Sequence, residues 1–316
     1  MLSKLKIFTG NANIELAKEL ASYAGIPLND AEVFKFSNDE SFVKLNDNVR
    51  GSDVFVIQPT CYPVNDNLME LLIMIDALKR ASAGRINCVI PYYGYARSDK
   101  KDQPRVPITA KLVADLITTA GAHRVITLDL HADQIQGFFN IPVDNLYSMP
   151  IFVRYIKSLG YDPNDLVVVA PDSGGANRAR AFAKRLDCSL AIGDKRRVGN
   201  DSNAEVLHVI GEVAGKIAIL YDDIVDTGGT LIKIAGKLTE MGARQVFACC
   251  SHGILSRDAV DKLQESAIDI LIITNSIPLA PEKQKCEKIV QLSIAELLAV
   301  AIRKTHLEES ISLLFK

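Results

Sequence analysis

One stretch near residue 220 constrains the fold of this chain more than any other. Residues 217–230 read IAILYDDIVDTGGT, and residues 231–238 after them have helical apolar spacing. An apolar run that ends in two adjacent carboxylates, then a turn rich in Gly and Thr, then that spacing predict a buried strand, a loop and a helix start. Units of this kind build α/β folds.

The turn of this unit has the features of a phosphate-binding loop. The first backbone N–H groups of a helix have no helical partner, the helix dipole adds positive charge, and glycine lets an anion approach closely. Nearby carboxylates repel a phosphate but can hold sugar hydroxyls or a hydrated Mg²⁺. The sequence therefore predicts a ribose 5-phosphate site formed by Asp222, Asp223, Asp226, Thr227, Gly228, Gly229 and Thr230. A turn that only reverses the chain is the alternative, which two glycines alone would favour.

The bulk properties narrow the class of protein. The chain has 316 residues, which predicts about two domains. A formal net charge of −2 argues against nucleic acid as a partner, since binding to its backbone normally needs a basic face. The six cysteines have no metal-ligand spacing and predict core thiols in a reducing compartment. No signal peptide and no apolar run of ~20 residues is found, so we expect a cytoplasmic protein without membrane contact.

Apolar periodicity predicts alternating strands and helices. Strands are predicted at residues 5–10, 54–58, 86–91, 125–130 and 166–170, and helices at 13–24, 67–82, 108–120 and 292–305. Residues 33–45 predict a β-hairpin with a polar tip at 37–40. Its candidate buried positions are Phe34, Phe36, Phe42 and Leu45. Residues 92–107 predict a mobile charged loop at the carboxyl end of a strand, where open α/β sheets bind ligands.

These elements predict two similar, doubly wound α/β domains with mostly parallel sheets. The first spans residues 1–148 and carries the hairpin, and the second spans 149–316, with about the last ten residues packing back on the first. A repeated spacing supports the similarity of the two domains. Gly121 lies ten positions before His131, and Gly242 lies ten positions before His252. A shared offset of this kind suggests an old duplication.

Two further segments carry polar groups next to predicted strands. Residues 170–178, APDSGGANR, offer the carboxylate of Asp172, glycine N–H groups and the cation Arg178, a set that can receive a diphosphate. An ordinary helix start is the alternative. His131 follows a strand beside Asp129 and Asp133, which suits an imidazole bound to metal or phosphate. A structural histidine is the alternative there.

Residues 217–230 resemble the ribose-phosphate-binding motif of the type I phosphoribosyltransferase fold. Residues 129–142, DLHADQIQGFFNIP, closely resemble the signature of ribose-phosphate pyrophosphokinases. That second resemblance extends over nearly the full chain, from FSNDE at 36–40 through YYGYAR at 92–97 to residues 302–315. The chain differs from many family members in having Ser98 instead of Gln, Asn38 instead of Asp, and a different sequence at 198–201.

The resemblance implies roles for particular residues. It implies that ATP is bound by Phe36, Asn38, Glu40, Arg97, Ser98, Asp99 and His131, with the first three at the adenine. His131 and Asp172 would bind Mg²⁺, and Lys195 and Arg197 would be catalytic. The alternative for residues 195–197 is a cluster of basic side chains that is simply exposed to solvent. The resemblance also implies a homo-oligomer, a hexamer, with active sites shared between subunits.

The implied activity is transfer of the β,γ-diphosphoryl group of ATP to the C1 hydroxyl of ribose 5-phosphate, which gives phosphoribosyl diphosphate (PRPP) and AMP. Two other functions use a similar phosphate site. A PRPP-consuming phosphoribosyltransferase should lack the 129–142 stretch and the hairpin. A non-catalytic regulatory protein associated with PRPP synthetase would carry changes in the catalytic loop, which is intact at residues 194–197.

Overall fold

A computed structural model describes residues 4–197 and 205–315 of the chain. These residues form two units, each with its own core. The first unit comprises Met1–Tyr147, Ser276–Pro278 and Ser293–Lys316, and the second comprises Ser148–Asn275 and Leu279–Leu292. The boundary after Tyr147 lies one residue before the predicted one, but the C-terminal segment belongs with the first unit and not with the second.

The first unit contains seven strands in its described part and four α-helices. In chain order they are β1 (Leu5–Thr9), α1 (Ile14–Ala24), β2 (Ala31–Lys35), β3 (Ser41–Leu45), β4 (Asp53–Ile57), α2 (Val64–Arg80), β5 (Arg85–Ile90), α3 (Thr109–Ala120), β6 (Arg124–Leu128) and β7 (Val143–Leu146), with α8 (Ala295–His306) from the C-terminal segment. Short 3₁₀ helices occupy Asp133–Phe138 and Ser312–Phe315.

The described part of the second unit follows the same pattern. It contains α4 (Met149–Ser158), β8 (Leu166–Ala170), α5 (Ala176–Leu186), β9 (Ser189–Arg197), β10 (Glu205–Ile210), β11 (Ile217–Val225), α6 (Gly229–Glu240), β12 (Gln245–Gly253), α7 (Ala259–Glu265), β13 (Ile270–Thr274) and β14 (Ile289–Leu292). Two 3₁₀ helices lie at Pro163–Asp165 and Lys283–Lys285.

The sheet of the first unit is parallel and runs in chain order, β1-β4-β5-β6-β7. Right-handed connections that all step in one direction place α2 and α3 on one face, where they share a core with Val54, Ile86 and Cys88. The alternate residues, such as Phe55 and Val89, are buried on the other face. A parallel sheet buried on both faces confirms the predicted α/β class.

The sheet of the second unit reverses its direction of winding. Its order is β10-β9-β8-β11-β12-β13-β14, and every described pairing is parallel except that of β10 with β9. The chain steps from β8 to β9 on one side and returns to place β11 on the other side of β8. Accordingly, α4 and α5 cover one face, and α6 and α7 cover the other. Such a reversal creates a crevice at the carboxyl ends of the two strands where it occurs.

The hairpin is confirmed, but two of its expected buried residues are exposed. Strands β2 and β3 pair antiparallel, and Ala31, Val43 and Leu45 pack against the first-unit core. Phe34 and Phe36 lie on the opposite side, 43% and 48% exposed. With Phe42, which is half-buried, they form a cluster whose ring centroids are 4.9 to 5.5 Å apart. The small aliphatic residues and not the phenylalanines therefore face the core.

Residues 92–107 also differ from the expected charged loop. Tyr92, Tyr93 and Ala96 are buried, and the Tyr93 hydroxyl donates to the carbonyl of Ala110 at 2.9 Å. The backbone N–H of Gly94 donates to Thr60 Oγ1 at 2.7 Å. Only the second half of the segment, residues 100–105, is continuously exposed.

A buried carboxylate attaches the C-terminal helix to the first unit. Asp53 is 1% exposed and accepts hydrogen bonds from Arg85 Nε at 2.7 Å and Asn87 Nδ2 at 2.8 Å, and His306 Nδ1 lies 2.8 Å from its other oxygen. Arg85 also donates to the carbonyl of Thr305. With the packing of α8 on α1, these contacts explain why residues 293–316 belong to the first unit. Within the described residues, no helix is long and apolar enough to cross a bilayer.

Asp53→Asn should destabilise the protein by about 3 kcal/mol, because it leaves a partly buried guanidinium without its counter-charge. Burial raises the pKa of Asp53, but hydrogen bonds from Arg85, His306 and Asn87 outweigh it and leave that pKa below its ordinary value. The stabilisation is therefore present in full above about pH 4 and is lost as the pH falls through the lowered pKa.

Urea unfolding of the parent and the variant between pH 3 and pH 8 measures this difference. Asp76→Asn is the matched control, because Asp76 pairs with Arg80 on the exposed face of α2 and its loss should change little. The free energies of unfolding of the parent and Asp53→Asn should approach each other below about pH 4. If they do not, the pKa of Asp53 is not lowered by its ion pair.

Candidate active site

The crevice of the second unit is bordered by an overhanging strand. The ladder between β11 and β8 ends at Leu220 and Val169, whereas the ladder between β11 and β12 continues to Val225 and Gly253. Asp222 and Asp223 lie in this overhang, inside the strand and not at its end as predicted. The reason is that β12 extends the strand beyond the point where β8 stops.

The two carboxylates of the overhang are strongly coupled. Asp223 is 6% exposed, and its backbone N–H donates to Asp222 Oδ1 at 2.9 Å. Burial, followed by the negative charge of Asp223, raises the pKa of Asp222 to about 8, and the charge of Asp172 adds to this shift. Arg178 Nη1 lies 3.6 Å from Asp223 Oδ1. Three acidic side chains, Asp172, Asp222 and Asp223, are therefore close enough to influence one another's charge in the crevice.

The turn after β11 begins α6 with the expected glycine geometry. Gly228 precedes the helix with φ 74°, a conformation that favours glycine. Because glycine has no side chain, it makes no capping hydrogen bond to the first turn. Asp226 is fixed from another loop, since its Oδ1 accepts from Ser256 Oγ at 2.5 Å and its carbonyl accepts from the Ser256 N–H at 3.1 Å. Thr227 and Thr230 are exposed. The first N–H groups of α6 thus face the same end of the sheet as the carboxylates.

Asp172 lies in the loop that joins β8 to α5. Its Oδ1 accepts from the N–H of Gly175 at 2.9 Å, so the carboxylate stabilises the start of the helix. Gly193 on the neighbouring β9 leaves no room for a side chain, because an added Cβ would lie 2.7 Å from the carbonyl oxygen of Pro171. This close packing places the end of β9 directly beside the Asp172 loop.

Lys195 and Arg197 lie at the end of β9, opposite Leu207 and Glu205 of β10. Their side chains, and residues 198–204, fall outside the described residues. The proposed catalytic roles of these residues stay predictions.

The first unit has a cavity of about 670 Å³ at the carboxyl ends of β4 and β5. It is lined by Tyr62, Pro63, Val64, Asn65, Asp66, Tyr92, Tyr95, Ala96, Arg97 and Ser98. Arg97 and Ser98 were predicted from the sequence, whereas the wall tyrosines Tyr62 and Tyr95 were not. Tyr95 belongs to the YYGYAR motif at residues 92–97 but was assigned no role, and Tyr62 lies in no motif.

Two predicted residues of this loop have structural contacts. Ser98 Oγ accepts from the N–H of Thr109 at 3.3 Å, and its carbonyl accepts from Ala110 at 3.1 Å, which fixes the start of α3. Asp99 is 8% exposed and accepts from Gln134 Nε2 at 3.1 Å. This second bond joins the cavity loop to the segment that follows His131.

The hairpin tip lies beside the cavity wall. Lys35, at the end of β2, forms a 2.7 Å ion pair with Asp66, which lines the cavity. The tip is closed by a 2.8 Å bond from the Phe36 N–H to the Glu40 carbonyl, and Asn38 Oδ1 accepts from the Glu40 N–H at 3.3 Å. The side chains of Phe36, Asn38 and Glu40 are exposed.

His131 is half-buried three residues beyond β6. Its surroundings are ordered by Asn145, which accepts from the Leu130 N–H at 3.0 Å and donates to Asp133 Oδ1 at 3.2 Å. The Tyr147 hydroxyl lies 3.5 Å from the same oxygen. Burial, followed by the charges of Asp133 and Asp129, raises the pKa of Tyr147. Neither Asn145 nor Tyr147 was expected from the sequence.

The carboxylate of Asp172 suits a hydrated Mg²⁺, whereas the imidazole of His131 is a type of donor that Mg²⁺ does not prefer. Across residues 4–197 and 205–315, no three or more His, Cys, Asp or Glu side chains are close enough to hold a metal unaided. Mg²⁺ commonly binds through one or two carboxylates plus waters and substrate phosphates, so the absence of a larger set is compatible with it. Asp172 offers the oxygen donor that Mg²⁺ prefers, and His131 offers nitrogen.

Asp222→Asn should stabilise the metal-free protein, and increasingly so as the pH rises. An Asp carboxyl in the unfolded chain has a pKa of about 3.9, so between about pH 4 and 8 the folded parent holds a proton that the unfolded chain has lost. The free energy of unfolding of the parent therefore falls with rising pH in that window, and that of the variant does not.

Urea unfolding in the presence of a chelator tests this. The free energy of unfolding of Asp222→Asn should exceed that of the parent by an amount that grows from pH 4 to pH 8 and is constant above pH 8. Asp261→Asn, a change at an exposed residue, should show no such trend. A gain that is independent of pH would show that Asp222 titrates like an ordinary carboxyl.

The chain was compared with known proteins. The model of the N-terminal domain of ribose phosphate pyrophosphokinase matches residues 5–121, and the phosphoribosyl synthetase-associated domain matches residues 196–316. The chain is 56% identical over 315 residues to the ribose-phosphate pyrophosphokinase of Caldanaerobacter subterraneus subsp. tengcongensis, covering 99% of this chain and 98% of that protein. It is 55% identical to the Bacillus caldolyticus enzyme of the same name, over 99% and 98% of the two chains.

A comparison with solved structures finds the same kind of protein. The phosphoribosylpyrophosphate synthetase of Mycobacterium smegmatis superposes with a TM-score of 0.91 at 43% identity, over 96% of this chain and 99% of that one. This chain therefore belongs to the ribose-phosphate pyrophosphokinase family.

Proposed function

We propose that this protein transfers the β,γ-diphosphoryl group of ATP to the C1 hydroxyl of ribose 5-phosphate, which gives PRPP and AMP. The observation that carries the proposal is the crevice of the second unit. There, two coupled carboxylates on an overhanging strand adjoin the start of a helix led by Gly228 and Gly229. Full-length similarity to ribose-phosphate pyrophosphokinases supports it.

Ribose 5-phosphate fits this crevice by its two chemical ends. The phosphate would accept hydrogen bonds from the N–H groups of residues 227–230, where the positive end of α6 lies. Asp222 and Asp223 would accept hydrogen bonds from the ribose hydroxyls. The bonds from Ser256 hold Asp226 and thereby the start of the phosphate loop.

ATP would be bound by residues of the first unit. Arg97, at the wall of the 670 Å³ cavity, would contact the phosphates together with Ser98, which also lines the cavity. Asp99 and His131 are the other proposed ATP contacts, and Asp99 is bonded to Gln134 in the segment that follows His131. Phe36, Asn38 and Glu40 would contact the adenine, because an aromatic ring and an amide suit the face and edge of a purine.

Mg²⁺ is the proposed cofactor, with Asp172 and His131 as its protein ligands. When bound, it neutralises charge on the phosphate oxygens of ATP and so makes the β-phosphorus open to attack. Asp172 is already oriented for a cation in the crevice, because one of its oxygens is held by the Gly175 N–H.

The reaction is an in-line displacement at the β-phosphorus. The C1 oxygen forms a bond to that phosphorus while the bond to the oxygen bridging the α- and β-phosphates breaks. AMP leaves with the bonding electrons, and the hydroxyl proton is released. The protein's part is to orient the two substrates and stabilise the developing charge, for which Lys195 and Arg197 are the proposed cations.

Incubation of the protein with ATP, Mg²⁺ and ribose 5-phosphate, followed by separation of the products, tests the function. AMP and PRPP should form in equal amounts. A phosphoribosyltransferase or a non-catalytic regulatory protein would form neither product from ATP and ribose 5-phosphate. Of these two, only the phosphoribosyltransferase would release diphosphate when supplied with PRPP and a base.

The protein is further proposed to be a cytoplasmic homo-oligomer, a hexamer by family resemblance, with active sites shared between subunits. The exposed aromatic cluster of Phe34, Phe36 and Phe42 supports this, since such a cluster usually marks a contact surface. All six cysteines are free thiols, as expected in a reducing compartment. Sedimentation at assay concentration should show an oligomer, and full activity of a monomer would contradict the shared site.

Lys195→Ala and Arg197→Ala should each lower kcat by orders of magnitude with little change in the KM for ribose 5-phosphate. Cations that act only in the transition state of phosphoryl transfer are worth ~10³–10⁵ in rate. Arg196→Ala is the matched control, because side chains alternate along an extended segment and the sequence therefore predicts that Arg196 points away from the other two. The AMP assay measures all three variants. If Arg196→Ala is the most damaging, or if the loss falls mainly on KM, these residues bind substrate and do not stabilise the transition state.

A further inference from the structure

Arg178 occupies an unusual place for a cation. It is the third residue of α5 (Ala176–Leu186), and the first turn of that helix contains no acidic residue. The positive end of a helix dipole disfavours a cation in the first turn. A compensating negative charge must therefore lie close by, and the crevice supplies it.

Arg178 forms an ion pair with Asp223, with 3.6 Å between Nη1 and Oδ1. Asp223 lies on the face of β11 that also carries Ile219 and Tyr221, which pack beneath α5. It is 6% exposed, and a carboxylate with so little contact with water needs a cation or several donors to stay ionised. Its neighbours Asp222 and Asp172 are carboxyls, so they add to this need.

We propose that Arg178 is a positioning residue, which holds the Asp223 carboxylate ionised and oriented toward the ribose hydroxyls. The inference rests on the proposed function, since it assigns a partner to a residue of the ribose 5-phosphate site. Arg178 could otherwise bind the diphosphate of ATP, as the sequence suggested. Its contact with Asp223 commits the guanidinium to the ribose side, so the two roles predict effects on different substrates.

Arg178→Ala should weaken ribose 5-phosphate binding about tenfold or more, the scale of one lost charged contact. Calorimetric titration with ribose 5-phosphate alone measures this without ATP or turnover. In the AMP assay the KM for ribose 5-phosphate should rise by a similar factor, while the KM for ATP stays nearly unchanged. Arg178→Lys, which retains the charge, should recover part of the affinity.

The matched control is Arg180→Ala, two positions further along α5 on its exposed side. It should leave the affinity for ribose 5-phosphate and the KM values for both substrates unchanged. A double-mutant cycle isolates the proposed contact. In an Asp223→Asn background, Arg178→Ala should cause little additional loss of ribose 5-phosphate affinity. Should Arg178→Ala unfold, Arg178→Gln, which keeps most of the side-chain packing, replaces it in the cycle.

Two results would overturn the inference. One is an Arg178→Ala effect that falls mainly on ATP, which would make Arg178 a diphosphate ligand. The other is an equal loss of affinity in the parent and Asp223→Asn backgrounds. A parent protein that binds ribose 5-phosphate but forms no AMP would instead refute the proposed reaction, and the titrations would still decide the role of Arg178.

Discussion

The site of the second unit depends on one difference in strand length. Strand β8 ends at Ala170, and β11 continues beside β12 to Val225, so Asp222 and Asp223 have a neighbouring strand on one side only. Carboxylates are costly to bury in a continuous sheet. In the overhang, the helices α5 and α6 begin on opposite faces of the same sheet end, and their positive termini offset part of that cost. The same helix termini that stabilise the carboxylates also attract the anionic phosphate of a sugar phosphate.

Local sequence signals predicted the elements that depend on local contacts. The predicted strand 166–170 matches β8, because all five residues are apolar and buried. Helix α1 begins after Asn13, which caps it, and ends at Gly25 with φ 68°. The placement of residues 293–316 with the first unit was predicted only for about the last ten residues, because it depends on contacts such as that between Asp53 and His306, 253 positions apart. The predicted closing helix began too early because β14, an edge strand paired with β13, occupies Ile289–Leu292.

In the candidate site, too, local features were predicted from the sequence and features that depend on distant contacts were not. The pattern of residues 217–230 predicted the strand, the turn and the helix, but the end of the strand depends on β12, which the local pattern does not reveal. Spacing alone could not group Arg97 with His131, and the family resemblance supplied that expectation. The structure links their segments through the bond between Asp99 and Gln134. Asn145, Tyr147 and Ser256 carried no signal, because single polar residues at strand ends are common.

Several of these supporting residues share one physical task. Ser98 holds the start of α3, Ser256 holds Asp226, and one oxygen of Asp172 holds the N–H of Gly175. In each case the bond fixes a loop backbone whose neighbouring groups are the proposed ligand contacts. A phosphoryl transfer without a covalent intermediate depends on orientation, and misplacement by about 1 Å can cost ~10²-fold in rate. Loops at the end of a sheet are intrinsically less ordered than its strands. Hydrogen bonds of these side chains therefore fix the loops that carry the proposed ligand contacts.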